Sequence, residues 1–484
     1  MSAMRSGEAL SAVDSAWLRM DRPTNLMVIC GMMSFDTRLQ LSAVKALVQQ
    51  RMLCFHRFRQ RVAGAGIDAA WVNDDTFDLD WHIRHIAMPG HGSQASLEQL
   101  VGVLASTPLD PSKPMWQFHL IDDRSGGSVL LVRIHHCYGD GFAMMHVISS
   151  MMDEQPDRQQ APPLDLPRQA AAGSALERVL GPLTQTAGEA LRNAMRAAEL
   201  GRDLLVHPLH ALDYAATGVD YALSAAAIAV MPPDSPTRLK GPLGVMKRVA
   251  WAPPLPLEEV KAAAEALACS VNDVLVSCVA GALGRYLEEQ GDALQGVEVR
   301  ALVPVNLRPP GPLTTLGNAF GLVFLDLPLG LAEPVESVRE VHRRMRALRG
   351  SKQPAVSLAI LNAMGMAPDM LNQRLADALS GNASLVISNV HGIDQPRYFA
   401  GERISHQLFW VPQSGGIGLG ISLLSYAGEV AFGVMADAGR VPEPASIARH
   451  FRAEFESLLM TLLLMPWPAD RRRQRSRAGR DDQL

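Results

Sequence analysis

Hydrophobic positions along the first 150 residues switch between two periods. Leu41, Val44, Leu47 and Val48 share one side of a predicted helix over Leu41–Met52, and Ala95–Ala105 reads as a second helix. Gln117–Ile121 and Ser128–Ile134 are short apolar runs of strand length. The turn-rich Asp122-Asp123-Arg124-Ser125-Gly126-Gly127 between them predicts a hairpin. A short polar segment with Gly139 and Gly141 follows, and Phe142–Met152 returns to a helical pattern.

Residues 153–172 are polar and carry four prolines, the pattern of a linker. Beyond it, Leu176, Leu180, Leu183, Ala187, Leu191 and Met195 recur at steps of three or four, one apolar stripe on an alanine-rich helical connector. Pro232, Pro233 and Pro236 end this region. The mixed pattern then resumes. Leu257–Leu267 and Asn272–Glu289 read as helices, and Val297–Val305, Phe320–Leu327, Ser384–Val390 and Arg403–Trp410 as strands. Gly418–Tyr426 and Glu429–Met435 flank Ala427-Gly428, a hairpin signal. The pattern predicts an α/β chain of two lobes. Residues 1–152 form the first, 153–244 a Pro-rich linker and helical connector, 245–468 the second lobe, and 469–484 an arginine-rich tail.

Composition narrows the class. Of the 484 residues, 48% are hydrophobic and 19% charged, which excludes extensive disorder. A net charge of −4 excludes a basic nucleic-acid binder. Five scattered cysteines without a CxxC pair exclude a disulfide scaffold and a zinc finger, and fit a reducing compartment. The N-terminus has no apolar run of signal-peptide length, and no stretch reaches the roughly 18 apolar residues of a membrane span. The expectation is a soluble chain, or one that lies on a membrane without crossing it.

The sharpest chemical feature is His135-His136-Cys137-Tyr138-Gly139-Asp140-Gly141, between an apolar strand and a helix. Adjacent histidines at a strand end can supply a general base, bind metal, or serve structure. Metal fits poorly, because neighbours on extended backbone point to opposite faces and no spaced carboxylate or thiolate completes a set. His82 with His85, and His207 with His210, stand at i, i+3 spacing without a third ligand.

HHxxxDG is the signature of acyltransferases that resemble chloramphenicol acetyltransferase. Further blocks accompany it here: Leu10 to Trp17, Asp21-Arg22-Pro23, Phe58 to Arg61, Phe77 to His85 and Leu109 to Trp116 in the first half, then Val271 to Leu275, Pro304 to Pro309, Gly317-Asn318 and Ile387 to Val390 in the second. With these the chain resembles the bacterial wax ester synthase/acyl-CoA:diacylglycerol acyltransferase family from about residue 8 to about residue 460.

The resemblance implies two chloramphenicol-acetyltransferase-like lobes with the site in a tunnel between them. It also implies transfer of a fatty acyl group from acyl-CoA, a co-substrate, to a long-chain alcohol or diacylglycerol, with no metal or other cofactor; the alternatives are a catalytically silent neutral-lipid-binding protein on the same scaffold and a condensation enzyme using carrier-protein thioesters. His136 becomes the general base, with His135, Asp140 and Asn272 in the catalytic set. His135 has an alternative role in packing below the loop, and Asn272 one as a helix cap. Gly141 and Asp273 are placed at the substrate, and Arg308 of the other lobe is the implied partner of Asp140. Gly139 stands where the family usually has a larger residue, which would loosen the loop. Met115 replaces a usual leucine.

The implied location is cytoplasmic, peripheral to the inner membrane or lipid inclusions. Two segments could meet lipid: the connector helices with their uncharged Tyr221–Met231 end, whose apolar stripe has packing between the lobes as the alternative, and the six arginines within residues 471–480, which are expected to carry part of a weak, salt-sensitive binding.

Overall fold

The computed structural model describes residues 7–465, except residues 91, 123–125, 158–226, 229–230, 310, 312 and 314. The connector's apolar stripe, the His207–His210 pair and the arginine-rich tail lie outside the described residues. Two large sheets, of five and six strands, organise the rest, beside a three-stranded and a two-stranded one.

The first half begins with β1 (Glu8–Ala9), α1 (Ala12–Arg19), β2 (Val28–Phe35), α2 (Leu41–Gln50), β3 (Gln60–Ala63), β4 (Ala70–Asn73) and α3 (Leu79–His82). It continues with β5 (Ile83–Ala87), α4 (Gln94–Ala105), β6 (Trp116–Asp122), β7 (Ser128–His135) and α5 (Gly141–Ser150). β6 and β7 form the expected antiparallel hairpin. All eight residues of β7 are buried, so this strand runs through the middle of the sheet with both faces covered.

The second half contributes β8 (Lys247–Pro256), β9 (Glu298–Asn306), β10 (Phe320–Pro328), β11 (Leu385–His391), β12 (Tyr398–Phe399), β13 (Glu402–Arg403), β14 (His406–Trp410), β15 (Leu419–Tyr426) and β16 (Glu429–Asp437). Six of these make one mixed sheet in the order β10-β9-β11-β15-β16-β8. The helix Val271–Glu289 packs beside the helices Pro334–Leu348 and Pro444–Leu464 over it. Its start is a capping box: the Ser270 hydroxyl accepts from Asp273 N–H at 3.2 Å, and the Asp273 carboxylate accepts from Ser270 N–H at 2.9 Å.

The α/β two-lobe reading holds, with one crossing that periodicity did not announce. β14 belongs to the first lobe's sheet, whose order is β14-β2-β7-β6-β5. It pairs antiparallel with β2, Trp410 opposite Cys30 and His406 opposite Ser34. The second sheet also forks. β11 pairs with β9 only at Leu385 and Val386, opposite Ala301 and Leu302. Beyond that point β11 stays with β15 as far as His391, and β9 stays with β10 as far as Asn306.

Candidate active site

β7 delivers the histidine pair to a tight turn where the two lobes meet. The backbone N–H of His136 donates to Met27 O at 2.7 Å, and that of His135 to Met115 O at 2.9 Å. Tyr138, buried on the same turn, donates its hydroxyl to Gln60 O at 2.6 Å and accepts from Met115 N–H at 3.0 Å. The turn is therefore pinned on both sides, as a site needs if its base is to hold one position.

His136 faces a cavity of about 650 Å³ between the lobes, within the range of small-molecule sites. Its ring stacks on Trp17 of α1 at 4.2 Å between centroids and lies 5.7 Å from Phe320 of β10. Nδ1 is buried without a hydrogen-bond partner among the described residues, which leaves Nε2 for the cavity. Burial pulls its pKa below the usual histidine value. The Asp140 carboxylate, the residue's own carbonyl and the Asn318 side chain oppose that fall. The imidazole is thus neutral near pH 7, the form that can take a proton.

Asp140 caps α5, its Oδ1 accepting from Ala143 N–H at 3.0 Å. Its Oδ2 accepts from Arg308 Nη1 at 2.6 Å and from Ala319 N–H at 2.9 Å. Both oxygens are engaged away from the imidazole ring. Arg308 and Ala319 thereby tie the loop between β9 and β10 to the catalytic turn, and Arg308 braces that loop internally by donating to Gly317 O at 2.6 Å. Gly141 lines the cavity, and a β-carbon built on it would find only Val390 within 4 Å, at 3.9 Å. Gly139 does not loosen the turn. A β-carbon there would stand 2.9 Å from both Ala143 Cβ and Met144 Cε, and the residue bridges Gly317.

Three expected site residues do not line the cavity. His135 is buried beneath the turn, its Nδ1 accepting from Cys137 N–H at 3.2 Å. Burial, and then the neighbouring His136, hold its pKa down at about 3, so it stays neutral and structural. Asp273 is fully buried in the capping box, and its carboxylate pairs with His342 Nδ1 at 2.8 Å, so it holds a helix rather than substrate. The Asn272 Oδ1 accepts from Asn389 Nδ2 at 2.8 Å, so Asn272 supports the cavity wall through that residue. His82 stacks between Phe77 and Trp116, and His85 pairs with Asp122, so that couple does not converge on one point.

The sequence reading missed the clasp behind the base. Asn318 Nδ2 donates both to the His136 carbonyl and to Asp14 Oδ1, each at 2.8 Å. Asp14 lies on buried α1, three residues before the Trp17 that stacks on the base. Asp14, Trp17 and Asn318 all fall within the blocks that carry the resemblance, which was the available signal.

Known proteins resemble this chain in family and in fold. The wax ester synthase/diacylglycerol acyltransferase catalytic domain matches residues 10–275, and the WS/DGAT C-terminal domain matches residues 316–459. A Mycobacterium tuberculosis (strain H37Rv) relative named as a diacylglycerol O-acyltransferase is 25% identical over 93% of this chain and 90% of its own length. A Mycobacterium bovis relative named likewise is 27% identical over 84% of this chain and 86% of its own.

Among solved structures, the wax ester synthase/diacylglycerol acyltransferase from Marinobacter aquaeolei VT8 superposes with a TM-score of 0.67 at 22% identity, covering 94% of this chain and 100% of that one. The first condensation domain of the CDA synthetase shares the fold at a TM-score of 0.54 and 16% identity, covering 95% and 97%. With the catalytic-domain match spanning more than half its length, the chain belongs to the wax ester synthase/diacylglycerol acyltransferase family, a family of acyltransferases.

Proposed function

We propose that this chain moves a fatty acyl group from an acyl-CoA thioester to the hydroxyl of a long-chain alcohol or of diacylglycerol, giving wax ester or triacylglycerol. The observation that carries the reading is a buried, neutral His136 at the wall of a largely apolar cavity. An alcohol attacks poorly at neutral pH, and its proton must leave as the carbon–oxygen bond forms. In the proposed step His136 Nε2 accepts that proton while the oxygen adds to the thioester carbonyl carbon. The tetrahedral intermediate then collapses, the carbon–sulfur bond breaks, and the CoA thiolate takes the proton back.

Transfer is direct, with no acyl-enzyme. Cys137, the thiol nearest the base, is fully buried, and burial raises its pKa well above the ordinary thiol value. It does not line the cavity. The test is CoA release from palmitoyl-CoA by the full chain, with and without hexadecanol or a diacylglycerol. Acceptor-dependent release is expected, and Cys137→Ala should retain it. An acyl group trapped on Cys137 would overturn direct transfer. No acceptor-dependent release at all would overturn the activity and leave a lipid-binding protein on this scaffold.

The acceptor and product are insoluble in water, so the proposal includes docking on a lipid surface. Among the described residues no single helix is long and apolar enough to cross a membrane. At the end of the last helix, however, Leu463 and Leu464 are 72% and 79% exposed, close ahead of the six arginines in the sequence. Apolar side chains beside a basic run suit an anionic lipid surface, each arginine adding about 1 kcal/mol near it at low salt. The full chain should float with anionic liposomes at low salt and come off as salt rises. A chain ending at Pro468 should float less. Equal flotation of the two would remove the tail from the account, and flotation of neither would remove docking.

A further inference from the structure

The fork in the second sheet lies on the cavity. Past Leu302 and Val386 the facing edges of β9 and β11 no longer pair with each other. Leu302, Pro304 and Asn306 alternate along one face of β9 and line the cavity, as do Val386, Ser388 and Val390 on β11. Pro304 suits an edge without a ladder, because it has no N–H to give one. Ordinary parallel neighbours stay in register at about 4.8 Å, which leaves no room for a ligand. Strands that part leave a slot.

The slot has a polar end and an apolar end. At the open end, Asn306 Oδ1 accepts from Arg308 N–H at 3.1 Å, and Arg308 holds Asp140 on the catalytic turn. At the closed end, Leu302 and Val386 are 3% and 8% exposed and join Val411, Phe324 and Ile417 in a compact apolar cluster. Leu302 lies four residues before Asn306 on β9, about 13 Å at the rise of a strand.

We infer that the fork between β9 and β11 receives the aliphatic chain of one substrate, and that Leu302 and Val386 form the stop that sets its preferred length. This rests on the acyl-transfer reading. The reacting head group sits by His136, and methylene groups extend toward the closed end. Each methylene that fits gains about fourfold in binding, and each that meets the stop loses that gain. Either the acyl chain of the thioester or the alkyl chain of the acceptor has this chemistry.

Two substitutions move the stop in opposite directions. Leu302→Ala should deepen the slot, and Val386→Leu should shorten it. CoA release is measured with octanoyl-, dodecanoyl- and palmitoyl-CoA against one acceptor, and with octanol, dodecanol and hexadecanol against one acyl-CoA. For one series, the long-to-short ratio of kcat/KM should rise at least about tenfold in Leu302→Ala and fall at least about tenfold in Val386→Leu, relative to wild type. The series that responds identifies the chain in the fork.

Unchanged ratios in both series, with wild-type turnover intact, would overturn the inference while leaving the activity standing. Wild-type protein without turnover would overturn the activity instead. Binding of octanoic, dodecanoic and palmitic acids by calorimetry would then decide on the fork: length preference shifting oppositely in the two variants supports it, and no shift rejects it. Melting temperatures identify a variant that has lost its core, and Leu302→Val then replaces Leu302→Ala with a smaller expected shift.

Discussion

Replacing His136 with alanine is expected to lower acceptor-dependent CoA release about a hundredfold or more, with the fold retained. The ring contributes little to the core beyond its faces on Trp17 and Phe320, and its remaining edge already meets the cavity. Losing it removes the proton acceptor without opening a closed core. Circular dichroism and melting temperature should stay near wild type. Near-normal turnover would sink the mechanism.

The wild-type pH profile carries the same test from another side. Burial favours the neutral imidazole, so the base stays competent below the usual histidine pKa of 6.5, and the acid limb of kcat/KM should lie below that pH. The Asp140 carboxylate favours the charged ring and opposes this shift. Asp140→Asn should therefore move the limb to still lower pH. A wild-type limb at or above 6.5 would contradict a base desolvated by burial.

Asp140→Asn should also lower the melting temperature by several degrees together with activity. The side chains of Asp140 and Arg308 are 6% and 11% exposed. Asparagine keeps an oxygen for the cap at Ala143 but leaves a nearly buried guanidinium without its anion. Breaking such a pair from one side costs about 3–5 kcal/mol when it is fully buried. Arg308 and the Ala319 N–H together hold the β9–β10 loop on Asp140, so loosening that hold should displace Asn318 and the His136 carbonyl to which it donates. The double variant Asp140→Asn/Arg308→Gln should lose less than the sum of the singles, because no unpaired charge remains. A fall in activity at unchanged melting temperature would instead assign Asp140 a direct part in orienting the imidazole. A harmless Arg308→Ala would show that Asp140 does not depend on Arg308 as its partner.

Elements built from local pattern were legible in the sequence. The β6–β7 hairpin shows as two apolar runs around turn residues, and the Val271–Glu289 helix as a helical pattern over Asn272–Glu289, although its cap is Ser270 rather than Asn272. Partners distant in sequence left no such mark. The residues of β14 read as a strand, but nothing in that stretch says that its neighbour is β2.

The site followed the same division. His136, Asp140 and Gly141 come from one contiguous motif. Arg308 came from resemblance, since no spacing rule links residues 168 positions apart. Sequence alone does not separate the two roles open to Asn272 and Asp273, because cap and substrate contact differ only in which way the helix start faces. That depends on how the helix packs. The stacking of Trp17 on His136 and the bridge through Asn318 are products of the lobes meeting, so composition and periodicity carried no trace of them.

The placement of β14 imposes an order of events on a growing chain. β2 ends at Phe35, and the strand that covers its open edge begins about 370 residues later, at His406. At about 5–20 residues per second, a ribosome needs roughly 20–75 s to supply it. Throughout that interval the first sheet has a bare edge along β2, whose Val-Ile-Cys-Gly-Met-Met run is apolar and uncharged. An uncovered apolar edge is a template for pairing with other chains. A nascent chain of this topology therefore depends on something else shielding that edge, and a ribosome that stalls before residue 406 releases a product whose first sheet cannot close.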